Sequence, residues 1–148
     1  MKIGENSTKN NKNVINPFVL DFIKQGVLKT PRIIEAFEKI DRADFVPPEL
    51  KEKAYINEPL PIGEGQTISQ PLTVAFMIEL LQPKPGDKIL DIGSGSGWVT
   101  ALLAYIVGEK GAVVGVERLP ELAQTAEKNV SKYGFIKKGT VKMFCGDG

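Results

Sequence analysis

Asp91-Ile92-Gly93-Ser94-Gly95-Ser96-Gly97 is the stretch whose reading decides the fold. Lys88 to Ile92, leading into it, has the makings of a short strand. Trp98 to Val107, leading out, is a mostly apolar segment of helical length that closes on Gly108. Alternating glycines between a strand and a helix let the backbone turn sharply and let a ligand come close to the main chain. Downstream, Ala112 to Val116 is a β-branched strand. Pro120 to Tyr133 is a helix with proline at its first position, Glu121 in its first turn and Gly134 just beyond its end, and Thr140 to Cys145 is a third strand. Strand, helix, strand, helix, strand predicts right-handed βαβ units and an α/β fold with a Rossmann-like parallel sheet. Sheets usually have about five or six strands. The sequence therefore reads as the N-terminal part of a longer protein, with the C-terminal half of the sheet missing.

Upstream of the turn, Val74, Met77, Ile78 and Leu81 fall on one face of a helix, and Pro83-Lys84-Pro85-Gly86-Asp87 makes the turn into the first strand. Tyr55 to Pro71 holds Pro59, Pro61, Gly63, Gly65 and Pro71 with no period of 2 or 3.6. It reads as a long loop, ordered because it carries Leu60, Ile62 and Ile68. Pro17 to Gly26 is a helix. Thr30 as N-cap and Pro31 at the first position open another, with Ile33, Ile34, Phe37 and Ile40 on its apolar stripe. Phe45-Val46-Pro47-Pro48 ends that region, and a short helix can follow over Glu49 to Ala54. Residues 1–16 are polar and rich in Asn and Lys, and are expected to be a disordered tail. The expected division is thus 1–16 tail, 17–70 helical region and loop, and 71–148 first half of the α/β domain.

The glycine turn also says which ligand it can hold. The spacing is G-x-G-x-G. The dinucleotide fingerprint would need glycine where Trp98 or Thr100 stands, and no Gly-Lys-Ser/Thr follows to make a P-loop. Asp91 at the mouth of the turn would repel a pyrophosphate and favour a cation, such as S-adenosylmethionine, which carries an ammonium and a sulfonium and no phosphate. Glu117 at the end of the second strand can accept from both ribose hydroxyls; read alone it is a solvated charge opening a loop. Asp147 at the end of the third, flanked by Gly146 and Gly148, can accept from an adenine amino group; read alone it is an Asp-Gly turn. Together the three strand ends line the carboxyl edge of the sheet, where open α/β sheets bind ligands.

Composition narrows the chemistry. Of 148 residues 42% are hydrophobic and 25% charged, which supports a packed domain over disorder. With no histidine, a Ser-His-Asp triad and a histidine metal site are excluded. The single cysteine, Cys145, permits no internal disulfide and no multi-thiolate zinc site, which favours a reducing cytoplasmic setting. In its strand it reads as core. A net charge of +1 gives no reason to expect nucleic acid or an anionic membrane, and no apolar run is long enough to span a bilayer.

These residues resemble the protein-L-isoaspartate O-methyltransferase family of class I S-adenosylmethionine-dependent methyltransferases. The resemblance runs from about Phe18 to Gly148 through Asp44-Phe45-Val46-Pro47, Ala54-Tyr55, Pro59 to Pro71, the Asp91 turn, Gly115-Val116-Glu117-Arg118 and Gly146-Asp147-Gly148. The Gly65 to Pro71 run is the most specific part. The resemblance implies a class I methyltransferase fold and methyl transfer from S-adenosyl-L-methionine, leaving S-adenosyl-L-homocysteine, to the free carboxylate of isoaspartyl residues in damaged proteins. It implies Ser69 as the active-site residue, Thr67, Ile68 and Gln70 in the segment that covers the donor, and Asp91, Gly93, Gly95, Glu117, Asp147 and Gly148 as donor-binding positions. It also implies isoaspartyl proteins and peptides as partners and a monomer. Read without the family, Ser69 is rather the cap of the helix that begins at Pro71, a role compatible with orienting a carboxylate. Another class I methyltransferase, or a non-catalytic remnant that serves as an interaction module, are the competing readings.

Overall fold

The structure is a computed structural model that describes residues 16–148. The tail expected over 1–16 lies outside that range except for Asn16. Asn16 is buried, and its carbonyl accepts the Val19 amide at 2.9 Å to open the first helix.

Two helices begin the described chain, α1 (Pro17–Lys24) and α2 (Pro31–Lys39), followed by 3₁₀ turns over Arg42–Phe45 and Pro48–Lys53. A hairpin follows, β1 (Leu60–Gly63) and β2 (Gln66–Ile68), then α3 (Pro71–Leu81). The βαβ region is β3 (Lys88–Ile92), α4 (Trp98–Val107), β4 (Ala112–Glu117), α5 (Pro120–Ser131) and β5 (Val141–Cys145). Its sheet is parallel in the order β3-β4-β5, with Ile92 opposite Val116 and Glu117 opposite Cys145, so all three carboxyl ends lie at one edge.

The core is built around α4, which is apolar on every side. Trp98, Ala101, Leu102, Leu103, Ala104, Ile106 and Val107 are all buried. Such a helix must be covered all round, and β3, β4, α5 and α2 cover it. The N-terminal helices dock through a run of aromatic rings. Phe18 meets Phe37 edge-on at 6.4 Å, and Phe37 meets Trp98 edge-on at 5.8 Å.

The structure corrects several expectations. Tyr55 to Pro71 is not an irregular loop throughout. It contains the antiparallel β1–β2 pair, with Leu60 opposite Ile68 and Pro61 opposite Thr67. Prolines are tolerated on edge strands, and both strands of a two-stranded ribbon are edges. Thr30 precedes α2 but does not cap it with its side chain, because its hydroxyl donates to Glu79 Oε2 at 2.8 Å. Nor does Ser69 cap α3. Gln70 occupies the cap position without a side-chain bond, and Asn57 Oδ1 accepts the Leu72 amide at 3.0 Å instead. On α3, Val74 and Ile78 are buried as expected, but Met77 and Leu81 are 62% and 56% exposed, beside exposed Leu80, Leu90 and Ile92. Among the described residues β3 pairs only with β4, so nothing covers this face. Cys145 is exposed, not core, because β5 is the opposite edge strand; its thiol donates weakly to the Arg118 carbonyl at 3.8 Å.

Candidate cofactor site and active site

The β4 end ties the three strand ends together. The Val116 carbonyl accepts the amides of Gly93 (2.8 Å) and Ser94 (3.1 Å), folding the glycine turn over the strand end. The Glu117 carbonyl accepts the Gly146 amide at 3.0 Å and so fixes the exit of β5. The Glu117 side chain, itself buried, accepts the Gly95 amide at Oε2 (2.9 Å) and the Leu119 amide at Oε1 (3.1 Å). At Gly97, where α4 begins, φ is +94° and a Cβ would lie 2.9 Å from Val130 Cγ2 and 3.1 Å from the Ala126 carbonyl. That glycine lets the start of α4 seat directly on α5.

Two cavities flank the turn and share Thr67, Ile92, Gly93 and Gly95 in their walls. The first, about 280 Å³, is lined further by Glu117, Arg118, Leu119, Asp147 and Gly148. The second, about 210 Å³, reaches Ile68, Ser69, Asp91, Ser94, Ser96, Trp98 and Met77. The first holds the carboxylates of Glu117 and Asp147; the second holds Asp91, Ser69 and the start of α4.

The charge pattern is one-sided. Asp91 accepts the Thr100 hydroxyl at 2.6 Å. Burial pushes its carboxyl above the ordinary range, the Thr100 bond opposes that, and the Glu117 charge reinforces it. Among the described residues the ion pair present is Lys138–Glu109 at 3.5 Å, far out on the surface, so neither Asp91 nor Glu117 is neutralised by a basic side chain. Beside them, the hydroxyls of Ser94 and Ser96 and the indole N–H of Trp98 are buried without a hydrogen-bond partner among the described residues. Orphaned buried donors cost free energy unless something satisfies them. The site thus offers two uncompensated carboxylates to a cation and three unused donors to an acceptor. An adenosyl amino acid with a sulfonium, an ammonium and a carboxylate fits both sets.

Of the residues singled out from sequence, Ser69, Thr67, Ile68, Asp91, Gly93, Gly95, Glu117, Asp147 and Gly148 all line one or both cavities. Gln70 lines neither; its amide donates to the Asn57 carbonyl at 3.1 Å and its Oε1 accepts from Thr73 at 3.4 Å, both away from the turn. Trp98 serves both the cavity wall and the N-terminal helices. Ser94 and Ser96, between the glycines, join the site without having been expected from sequence, although two hydroxyls at a helix start are a readable signal for an acceptor. Leu119, on the wall of the first cavity, had no sequence signal beyond its place two residues after Glu117.

The chain is similar to known proteins over most of its length. The protein-L-isoaspartate(D-aspartate) O-methyltransferase family model matches residues 11–148. A protein-L-isoaspartate O-methyltransferase of Aeropyrum pernix is 48% identical over 125 residues, covering 84% of this chain and 47% of its own length. One from Methanopyrus kandleri is 48% identical over 123 residues, covering 83% and 54%. The chain therefore spans about half the length of these curated relatives. A Plasmodium falciparum structure described as a protein-L-isoaspartate O-methyltransferase in complex with S-adenosyl-L-homocysteine superposes with a TM-score of 0.78 at 25% identity, covering 88% of this chain and 62% of that one.

Proposed function

We propose that this chain, which belongs to the protein-L-isoaspartate(D-aspartate) O-methyltransferase family, binds S-adenosyl-L-methionine along its strand ends and takes part in methylating the free carboxylate of isoaspartyl residues in damaged proteins. The observation that carries this reading is the pair of carboxylates, Asp91 and Glu117, beside the glycine turn with no basic partner among the described residues.

The bound donor supplies an electrophilic methyl on a sulfonium. Asp91 and Glu117 provide the negative field that a cationic ligand needs. Gly93 leaves the approach to the main chain open. Ser94, Ser96 and the Trp98 N–H stand ready to donate to a carboxylate. The acceptor is itself a carboxylate, ionised and nucleophilic near neutral pH. No general base is required, consistent with a chain that has no histidine. What remains is alignment and exclusion of water. Ser69, on the wall of the second cavity, has a hydroxyl that can orient the substrate carboxylate. The β1–β2 hairpin, with Thr67 between the two cavities, supplies the cover.

The test is methyl transfer from labelled S-adenosylmethionine to a peptide carrying isoaspartate, with the normal aspartyl peptide as control and equilibrium binding of S-adenosylhomocysteine measured in parallel. Label in the isoaspartyl peptide alone, reduced in Ser69→Ala, is expected. Equal labelling of both peptides would replace this substrate with a general carboxylate, and absence of S-adenosylhomocysteine binding would remove the donor from the proposal.

A further inference from the structure

The charged side chain with the least exposed surface among the described residues is not in either cavity. Arg42 is fully buried in the first 3₁₀ turn. No carboxylate among the described residues pairs with it. Its Nη1 donates to the carbonyls of Ala54 (2.9 Å) and Ile56 (3.2 Å), and its Nη2 to those of Glu58 (2.8 Å) and Ser69 (3.0 Å). Its guanidinium carbon lies 5.3 Å over the Trp98 ring. Burial lowers its pKa to about 10, which leaves it charged at neutral pH.

The distribution of these acceptors is informative. Ala54, Ile56 and Glu58 lead into β1, and Ser69 leaves β2. One planar fork therefore holds both ends of the hairpin and rests on the residue that begins α4. Between these anchors the hairpin touches the glycine turn: a Cβ on Gly95 would meet Ile62 Cδ1 at 3.3 Å. Burying a charge is costly unless its donors are met; here both terminal nitrogens are engaged, while Nε has no partner among the described residues. A lysine ammonium is a compact point charge and lacks the rigid fork that reaches separate carbonyls.

We propose that Arg42 is the positioning residue of the donor-covering hairpin: by clamping Ala54, Ile56, Glu58 and Ser69 from inside, it sets the height of Thr67 and Ser69 over the glycine turn. It touches neither donor nor substrate. Its effect on the donor rests on the function proposed above; its effect on the hairpin does not.

The experiment compares the full chain with Arg42→Lys and, as a core-destabilising control remote from the hairpin, Val19→Ala, whose side chain is fully buried in α1. Trimethylamine N-oxide is added to bring the variants to equal global stability, so that a weakly folded Arg42→Lys chain remains measurable. Hydrogen exchange is read over 54–70, and S-adenosylhomocysteine affinity is read in the same samples. Arg42→Lys is expected to exchange at least about tenfold faster than Val19→Ala in that segment and to bind at least about tenfold more weakly, since each lost bond to a charged donor is worth that much. Millimolar guanidinium added to Arg42→Ala is expected to restore part of the protection. Exchange and affinity equal to those of Val19→Ala would overturn the proposal and leave Arg42 as ordinary core. Faster exchange over 54–70 in a protein whose parent binds no S-adenosylhomocysteine would uphold the positioning role and sink the donor.

Discussion

The Glu117 carboxylate accepts the Gly95 amide at 2.9 Å, joining the end of β4 to the turn that follows β3. Because its other oxygen takes the Leu119 amide, this one side chain shapes the cavity wall as well as contributing its charge. Glu117→Ala would leave both amides without that partner and is expected to cost about 1–3 kcal/mol in urea denaturation. Glu117→Gln keeps one acceptor and should lose less stability, yet it removes the charge. S-adenosylhomocysteine binding is therefore expected to weaken in both variants, and by more than the stability difference between them. An alanine variant with an unchanged urea midpoint would show that the turn holds itself.

Asp91 is expected to trade stability for binding. Burial raises its carboxyl above the unfolded value, with the Glu117 charge adding to the rise against the Thr100 bond. For a carboxylate raised on folding, protonation favours the native state, so stability is lost as pH rises from the unfolded pKa through the folded one and stays lost at neutral pH. Asp91→Asn retains an acceptor for the Thr100 hydroxyl and carries no charge. Its unliganded form is expected to melt higher than the parent at pH 7, with the gap closing toward acid, while affinity for a sulfonium donor falls. Parallel melts across pH with and without donor test both halves. A variant that is less stable at neutral pH would contradict the account.

The βα segments were legible because two independent signals coincide there. The bounds of β3 and α4 fall where apolar pattern and glycine punctuation agree, at Lys88–Ile92 and Trp98–Val107. The hairpin was not legible, because Pro59, Pro61 and the glycines suppress any period while cross-strand pairing, which is non-local, holds Leu60 opposite Ile68. Met77, Leu81 and Cys145 misled for a shared reason. Sequence pattern reports which face seeks burial, not whether a neighbour is there to provide it, and β3 and β5 are both edge strands. Gln70 shares the covering segment with Thr67 and Ile68 in sequence, but its side-chain amide donates to the Asn57 carbonyl. Arg42 had no local signal, since all its acceptors are carbonyls 12 to 27 residues away.

Two glycines of the turn separate folding from binding. Gly93 has φ +78° with open space where a Cβ would go, whereas Gly97 has φ +94° with Val130 and Ala126 in the way. Gly93→Ala is expected to cost only the left-handed strain of about 1–2 kcal/mol, while placing a methyl beside both cavities and weakening donor binding. Gly97→Ala adds overpacking of about 1–3 kcal/mol to similar strain. Its loss should appear in the urea midpoint far more than in affinity corrected for the folded fraction. The reverse ranking in urea would mean that α4 can slide on α5.

Glu79 on α3 gives a pH dependence opposite to that of Asp91. Burial would raise its carboxyl, but bonds from the amides of Lys29 and Thr30, the Thr30 hydroxyl and Gln82 outweigh it and hold the group below the ordinary carboxylate range. The distances are 2.7, 2.8, 2.8 and 3.0 Å, and they fasten the α1–α2 linker to α3. A carboxylate lowered on folding contributes stability that is fully present above the unfolded pKa and is lost as pH falls through the folded one. Glu79→Gln accepts at only one oxygen and carries no charge to lose. It is expected to be less stable than the parent at pH 7 and to converge with it as the pH drops below the carboxylate range. Because Asp91→Asn converges from the other side, acid titration of the two variants against the parent should bracket it from below and above. If Glu79→Gln tracks the parent at every pH, the linker is held by the apolar contacts of Leu28 and Ile33 alone.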